Sequence, residues 1–242
     1  MNDTRRTAAF IDAMMLSALT TAGYAASISH KPNAYLALAV LGLAAVTSKM
    51  KVKLPGINGN MSMNLPFLLT AVVNLSAAEA VLIACVSTAV QCWPRKNTKL
   101  NLQQMAFNLS MMTFAVALAS VIFHINWLQS SHSATVLALV LATATLFLGQ
   151  TAPVACIVAI SERKPATKLW LELAQLSFPY YVVSAGVTSM LQAMISHLGW
   201  GLVLAAFPVM YGIHRSYRIY FGRLAETLHP PAPLVRAAGA GA

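Results

Sequence analysis

Fifteen of the sixteen Lys and Arg residues in this 242-residue chain gather into five clusters, and the stretches between the clusters are long and apolar. The clusters are Arg5 and Arg6; Lys49, Lys51 and Lys53; Arg95, Lys96 and Lys99; Arg163, Lys164 and Lys168; and Arg215, Arg218, Arg223 and Arg236, which leaves only Lys31. Apolar stretches run from Thr7 to Ser27, Asn33 to Ser48, Met63 to Trp93, Gln103 to Ile125, Ala134 to Ile160, Trp170 to Ser196 and Trp200 to Ile213. A helix needs about 20 such residues to cross a hydrocarbon core, where its backbone polar groups must be satisfied internally. Charged residues make up 9% of the chain and hydrophobic residues 58%, with a mean hydropathy of +0.66. A soluble domain carries roughly 25% charged residues. The expected fold is therefore an all-α polytopic membrane protein. The stretches Asn33 to Ser48 and Trp200 to Ile213 are short and need tilt, local thinning or flanking residues to cross.

The basic clusters also orient the chain. Cytoplasmic loops carry the excess of Lys and Arg, whereas the loops around Asn126 to Ser133 and His197 to Gly199 carry none. Both termini are accordingly expected in the cytoplasm of a bacterium, with the chain multi-pass in its inner membrane. Met63 to Trp93 has basic residues on both flanks, so its 31 residues must enter and return as a broken pair of short helices or a re-entrant hairpin. The count is about six full spans plus that pair, or eight membrane segments if both members count. Trp prefers the headgroup interface, and Trp93 and Trp170 fall at predicted inner boundaries, Trp127 and Trp200 at outer ones. The net charge of +10 lies in short loops between apolar runs, which excludes nucleic acid as the partner. Arg5 and Arg6 precede a run too long for a signal peptide and lacking a convincing cleavage site, so a retained first helix is expected.

Local signals are densest in the middle of the chain. Residues 51–64 alternate polar and apolar around Asn58-Gly59, a dipeptide favoured in tight hairpin turns, and predict a short cytoplasmic β-hairpin or extended loop. Leu65 to Leu75 is too short to span alone. Ser76 and Glu79 then stand at capping-box spacing, which starts a new helix at Ala77. Asn74, Ser76 and Glu79 thus cluster at a helix break, a place where unpaired backbone groups collect and where an ionisable residue is a functional candidate. A solvated cap is the plainer reading of Glu79. Asp12, Asn108, Gln150 and Gln192 are further polar residues within spans, and Gln150 precedes Pro153, which frees a carbonyl and kinks its helix. Interhelical hydrogen bonding explains such residues by default. Asn74, Ser76, Glu79, Asn108 and Gln150 are the candidates for ligand binding or coupling.

Catalysis has no candidate constellation: GxSxG, HExxH and Walker A sequences are all missing. The six histidines show no metal-ligand spacing. Cys85, Cys92 and Cys156 form no CxxC pair and read as small buried hydrophobes. No metal, cofactor or enzymatic activity is expected. An inverted-repeat transporter is disfavoured because no repeat of fixed period is present.

The run from Phe207 to Leu224 leaves the last apolar stretch as a basic, aromatic helix. Arg215, Tyr217, Arg218, Tyr220 and Arg223 are its candidates for a lipid or partner interface. Pro230-Pro-Ala-Pro233 ends it and an Ala/Gly tail follows, so residues 1–225 are expected to form one helical domain and 226–242 a disordered tail. Tyr211-Gly-Ile-His-Arg-Ser-Tyr-Arg-Ile-Tyr-Phe-Gly-Arg-Leu224 resembles the last transmembrane helix and linker of bacterial multi-pass sensor proteins that lead into HD-GYP phosphodiesterase or GGDEF cyclase domains. Leu54-Pro-Gly-Ile-Asn-Gly-Asn-Met-Ser-Met-Asn64, Leu75-Ser-Ala-Ala-Glu79 and Phe178-Pro-Tyr-Tyr181 are similar to other recurrent stretches of that membrane module, and the likeness covers most of residues 35–225. It implies a membrane input module, while the catalytic sequences of the output domains are not present in the chain. The expected function is a sensory or regulatory membrane module acting through partner contacts, its partners being the lipid bilayer and a cytoplasmic or membrane signalling protein, with self-association left open. The alternative is a small-solute-binding protein resembling the substrate-capture subunit of energy-coupling factor transporters. A central polar cavity would favour the alternative.

Overall fold

The computed structural model of the chain describes residues 3–28, 33–53, 60–94, 101–198 and 204–228. These are all-α apart from one small ribbon. The helices are α1 (Asp3–Ser27), α2 (Ala34–Ser48), α3 (Leu65–Asn74), α4 (Ala77–Cys92), α5 (Leu102–Phe123), α6 (His132–Glu162), α7 (Ala166–Leu198) and α8 (Ala206–Leu228). Strands β1 (Lys51–Lys53) and β2 (Asn60–Ser62) pair antiparallel, with Val52 opposite Met61. The expected hairpin is therefore present, while its Asn58-Gly59 turn lies outside the described residues.

Side chains set several of the helix starts. Asn33 Oδ1 accepts from Leu36 N, Asn101 Oδ1 from Gln104 N and Ser131 Oγ from Ala134 N, each satisfying one of the orphan donors of a first turn. At the other end of α6, Arg163 takes a left-handed conformation (φ 55°) that stops the helix before Pro165. The helix expected to start at Ala77 does so, and Met63 to Trp93 folds as two helices separated at Leu75 and Ser76. α8 runs three residues past the expected domain boundary at 225, and 229–242 lie outside the described residues.

α3 is the centre of the bundle. Every residue from Leu65 to Val73 is buried, and the helix is enclosed by α2, α4, α5 and α7. A helix apolar all round has to be covered on every side. Around it α1 packs on α5, α5 on α4 and α6, and α6 on α7. The outward faces carry large apolar side chains, among them Leu16 and Leu19 on α1, Leu38 on α2, Val140 on α6 and Val182 on α7. An exterior of this kind suits hydrocarbon better than water.

Among the described residues, three helices are long and apolar enough to cross a membrane: α1 over Arg5–Ser27, α5, and α6 over Ser133–Glu162. α2, α3 and α4 are apolar but shorter, at 15, 10 and 16 residues. α7 has 33 residues and α8 has 23, but both are less uniformly apolar. In α7 the dilution comes from exposed Lys168, Glu172 and Gln175 near its start and from the buried hydroxyls of Ser177, Ser184 and Thr188.

Candidate functional site

The helix break holds the first group of expected site residues. Ser76 Oγ accepts from Glu79 N at 3.4 Å while Glu79 Oε2 accepts from Ser76 N at 3.0 Å and Ser76 Oγ at 2.7 Å. The other carboxylate oxygen, Oε1, accepts from Asn33 N at 2.9 Å, immediately before α2. At the opposite ends of the same two helices, Lys51 Nζ donates to the carbonyl of Gln91 at 2.7 Å. α2 and α4 therefore run parallel, tied at both ends, with one carboxylate serving two helix N-termini where negative charge is favoured. Asn74 Nδ2 donates to Thr70 O at 3.1 Å within its own helix. These contacts give Asn74, Ser76 and Glu79 a structural role. Ser76→Ala is expected to cost about 1 kcal/mol, and Glu79→Ala more, because two helix starts lose their acceptor. Thermal unfolding of the purified variants measures both, and a Glu79→Ala chain as stable as wild type would contradict the assignment.

A cavity lies at the other end of the bundle, about 18 Å along α4 from Glu79 to Gln91 at 1.5 Å per residue. Its volume is about 480 Å³. α1, α3, α4, α5, α6, α7 and β2 all contribute to its walls. Asn60, Asn101 and Ser161 stand at the end where the hairpin, the start of α5 and the end of α6 meet. Of the five ligand candidates, Asn108 and Gln150 line this cavity; Asn74, Ser76 and Glu79 do not.

The cavity is rich in amides. Asn64 Oδ1 accepts from Ser62 Oγ at 2.8 Å, Ser62 Oγ also reaches Gln91 Oε1 at 3.2 Å, and Asn64 Nδ2 points to Ser87 Oγ at 3.5 Å. Asn108 Nδ2 contacts Cys92 Sγ at 3.5 Å. Tyr181 Oη donates to Gln150 Oε1 at 2.8 Å. Two buried polar atoms on the lining residues have no protein partner, Gln150 Nε2 on α6 and Thr88 Oγ1 on α4. Among the described residues no group of three His, Cys, Asp or Glu side chains comes together. What the site offers is hydrogen bonding on a partly apolar wall.

Tyr180, next to Tyr181, is fully buried, and its Oη accepts from Leu65 N at 3.2 Å. That satisfies the first backbone donor of α3, whose next residue, Pro66, has none. On its other side the Tyr180 ring meets the Tyr217 ring edge-on at 5.9 Å, and Tyr217 lies 5.8 Å from Phe221. The chain of contacts thus runs from Gln150 through Tyr181, Tyr180 and Tyr217 into α8.

α8 lies against the bundle along one stripe: Ala206, Met210 and Phe221 are buried, and Ile213, Tyr217 and Leu224 pack beside them. Spacings of three and four put these residues on one helix face. Arg215, Arg218, Tyr220 and Arg223 are exposed on the other side. Tyr217 is a correction to the sequence reading, since the helical period turns it inward and away from the interface it was assigned to. Burial and the nearby Arg218 guanidinium hold His214 below the usual histidine range, so the charge of the outward face comes from its arginines.

Sequence reasoning missed Asn64, Thr88, Gln91 and Tyr181. Asn64 and Gln91 were visible as amides close to basic clusters, and the recurrence of amides at that one end was the available signal. Tyr181 stood in the Phe178-Pro-Tyr-Tyr181 stretch that carries the resemblance, without any sign of a cavity, and Thr88 carried no signal.

No family model, curated protein or solved structure matches the chain.

Proposed function

We propose that this chain is a sensory module of the bacterial inner membrane, with both termini cytoplasmic, which takes up a small solute in the amide-lined cavity and acts on a cytoplasmic or membrane partner through the outward face of α8. The observation that carries this reading is the side-chain path from Gln150 through Tyr181 and Tyr180 to Tyr217, which links the cavity wall to the base of α8. In the orientation given by the basic clusters, the cavity opens toward the cytoplasm. About six full spans with α3 and α4 as the broken pair complete the topology, which the apolar exterior supports. The likeness to the membrane modules of multi-pass sensors agrees with an output helix at this position, and no catalytic role is proposed. The second reading, a solute-capturing membrane protein like the substrate-binding subunit of energy-coupling factor transporters, is favoured by the cavity itself. In that reading α8 is an anchor and makes no signalling contact.

Cross-linking separates the two. A photo-reactive residue at Tyr220, on the exposed face, is expected to capture a specific protein in living cells, and Arg218→Ala is expected to weaken that capture with membrane insertion intact. Adducts to lipid and to copies of the chain alone would remove the partner and leave the capture reading. Tyr217 is unsuitable for this test because its loss would disturb packing against Tyr180.

A further inference from the structure

Charge is missing from the described lining of the cavity. That lining contains eight Asn and Gln residues together with Ser, Thr and Tyr hydroxyls, but no Asp, Glu, Lys, Arg or His. Two of the described basic residues at this end of the bundle have other engagements: Lys51 is bonded to the Gln91 carbonyl, and Lys164 pairs with Glu162 at 2.7 Å on the exposed surface. An ion placed among the helices without a counter-charge is strongly disfavoured. An uncharged molecule does not meet that penalty.

The polar groups that remain free define what such a molecule carries. Tyr181 occupies the Gln150 carbonyl oxygen and so fixes the amide, leaving Nε2 as a buried donor with nothing to donate to. Thr88, 2% exposed, presents an unpaired hydroxyl from a different wall. Unsatisfied buried donors cost stability unless something fills the site. Phe107, Met111, Met112 and Leu68 supply an apolar side to the same space. The volume lies within the range of about 300–1,000 Å³ typical of small-molecule sites.

We propose that the cavity is a binding site for an uncharged organic solute that has carbonyl or hydroxyl acceptors at one side and an apolar portion at the other, and that it rejects ions of either sign. Gln150 Nε2 and Thr88 Oγ1 hold the acceptors; Phe107, Met111 and Met112 cover the apolar part. The proposal rests on the solute-binding reading above and deepens it by naming the ligand class.

The test uses thiol reagents of similar reach and different charge. In the full chain with Cys85, Cys92 and Cys156 replaced by Ala, Thr88→Cys reports from the cavity wall and Ser161→Cys from its exposed rim. Each is treated with 2-hydroxyethyl methanethiosulfonate, which is neutral, with the anionic sulfonatoethyl reagent and with the cationic trimethylammonioethyl reagent. Relative to the rim, the neutral reagent is expected to be favoured at position 88 by at least about tenfold over both ions. Met112→Cys, on the apolar wall, should give the same ranking and replaces Thr88→Cys if that variant fails to fold. Equal ranking at wall and rim, or preference for one sign of charge, would overturn the ligand class and leave a solute-admitting cavity. A wall cysteine that reacts with none of the three until the chain is denatured would overturn both this proposal and the solute-binding function.

Discussion

Gly149→Leu is expected to abolish recovery of folded chain from membranes, and Gly149→Ala to lower its stability by about 1–3 kcal/mol. A Cβ at Gly149 would stand 2.8 Å from Ala115 Cβ and 3.2 Å from Ala115 Cα. The first distance is too short for two non-bonded carbons, and the second involves backbone, which has no rotamer with which to escape. Ala115 is fully buried on α5, and α5 with α6 forms one of the main helix contacts of the bundle. Small residues permit such close approach between helices where lipid offers no hydrophobic drive for association. An added side chain would push α6 outward and take with it Gln150, the next residue and a wall of the cavity. The companion is a swap: Ala115→Gly in the Gly149→Ala background moves the methyl group across the interface and should restore most of the lost stability. Size-exclusion profiles and thermal unfolding in detergent report both outcomes. Wild-type behaviour of Gly149→Leu would mean that α5 and α6 do not cross at this point.

The features visible in the sequence were those written locally. The capping box at Ser76 and Glu79 needs only four consecutive residues, so the start of α4 could be placed to the residue. The ribbon was legible for the same reason, from alternation over a short segment. The apolar run of α3 was equally plain, yet its place at the centre was not, because a lipid-facing helix and a helix covered by protein are both apolar. Glu79 shows the limit more sharply. Its bond to Asn33 joins residues 46 positions apart, and nothing near either one announces it. Without that bond the carboxylate reads as a solvated cap or a ligand group, whereas the structure gives it three hydrogen-bond donors of its own chain. Gln150 was singled out from the sequence, but the partners that give it meaning, Tyr181 on α7 and the facing wall on α4, come from helices whose order of packing the sequence does not state. Tyr217 was misassigned for a different reason. Its spacing from Met210, Ile213 and Phe221 marks an inward face, but tyrosine beside arginine also marks a headgroup interface, so the local sequence fits both positions.

The account turns on whether the cavity holds a solute, and the most direct measurement is mass spectrometry of the small molecules released from the purified chain. Wild type is compared with a double variant, Thr88→Val with Gln150→Met. Both substitutions keep volume close to the original, and together they remove the two unpartnered polar atoms from the wall. The loss of two buried hydrogen bonds, at about 0.5–1.5 kcal/mol each, predicts that affinity falls by about 5- to 150-fold, enough to empty the site during purification. The expected result is an uncharged organic compound released by the wild-type chain in near-equal molar amount and largely missing from the double variant, with both proteins eluting as folded. A wild-type chain that releases nothing, or the same compounds in the same amounts from both proteins, would contradict the claim that this cavity is the site.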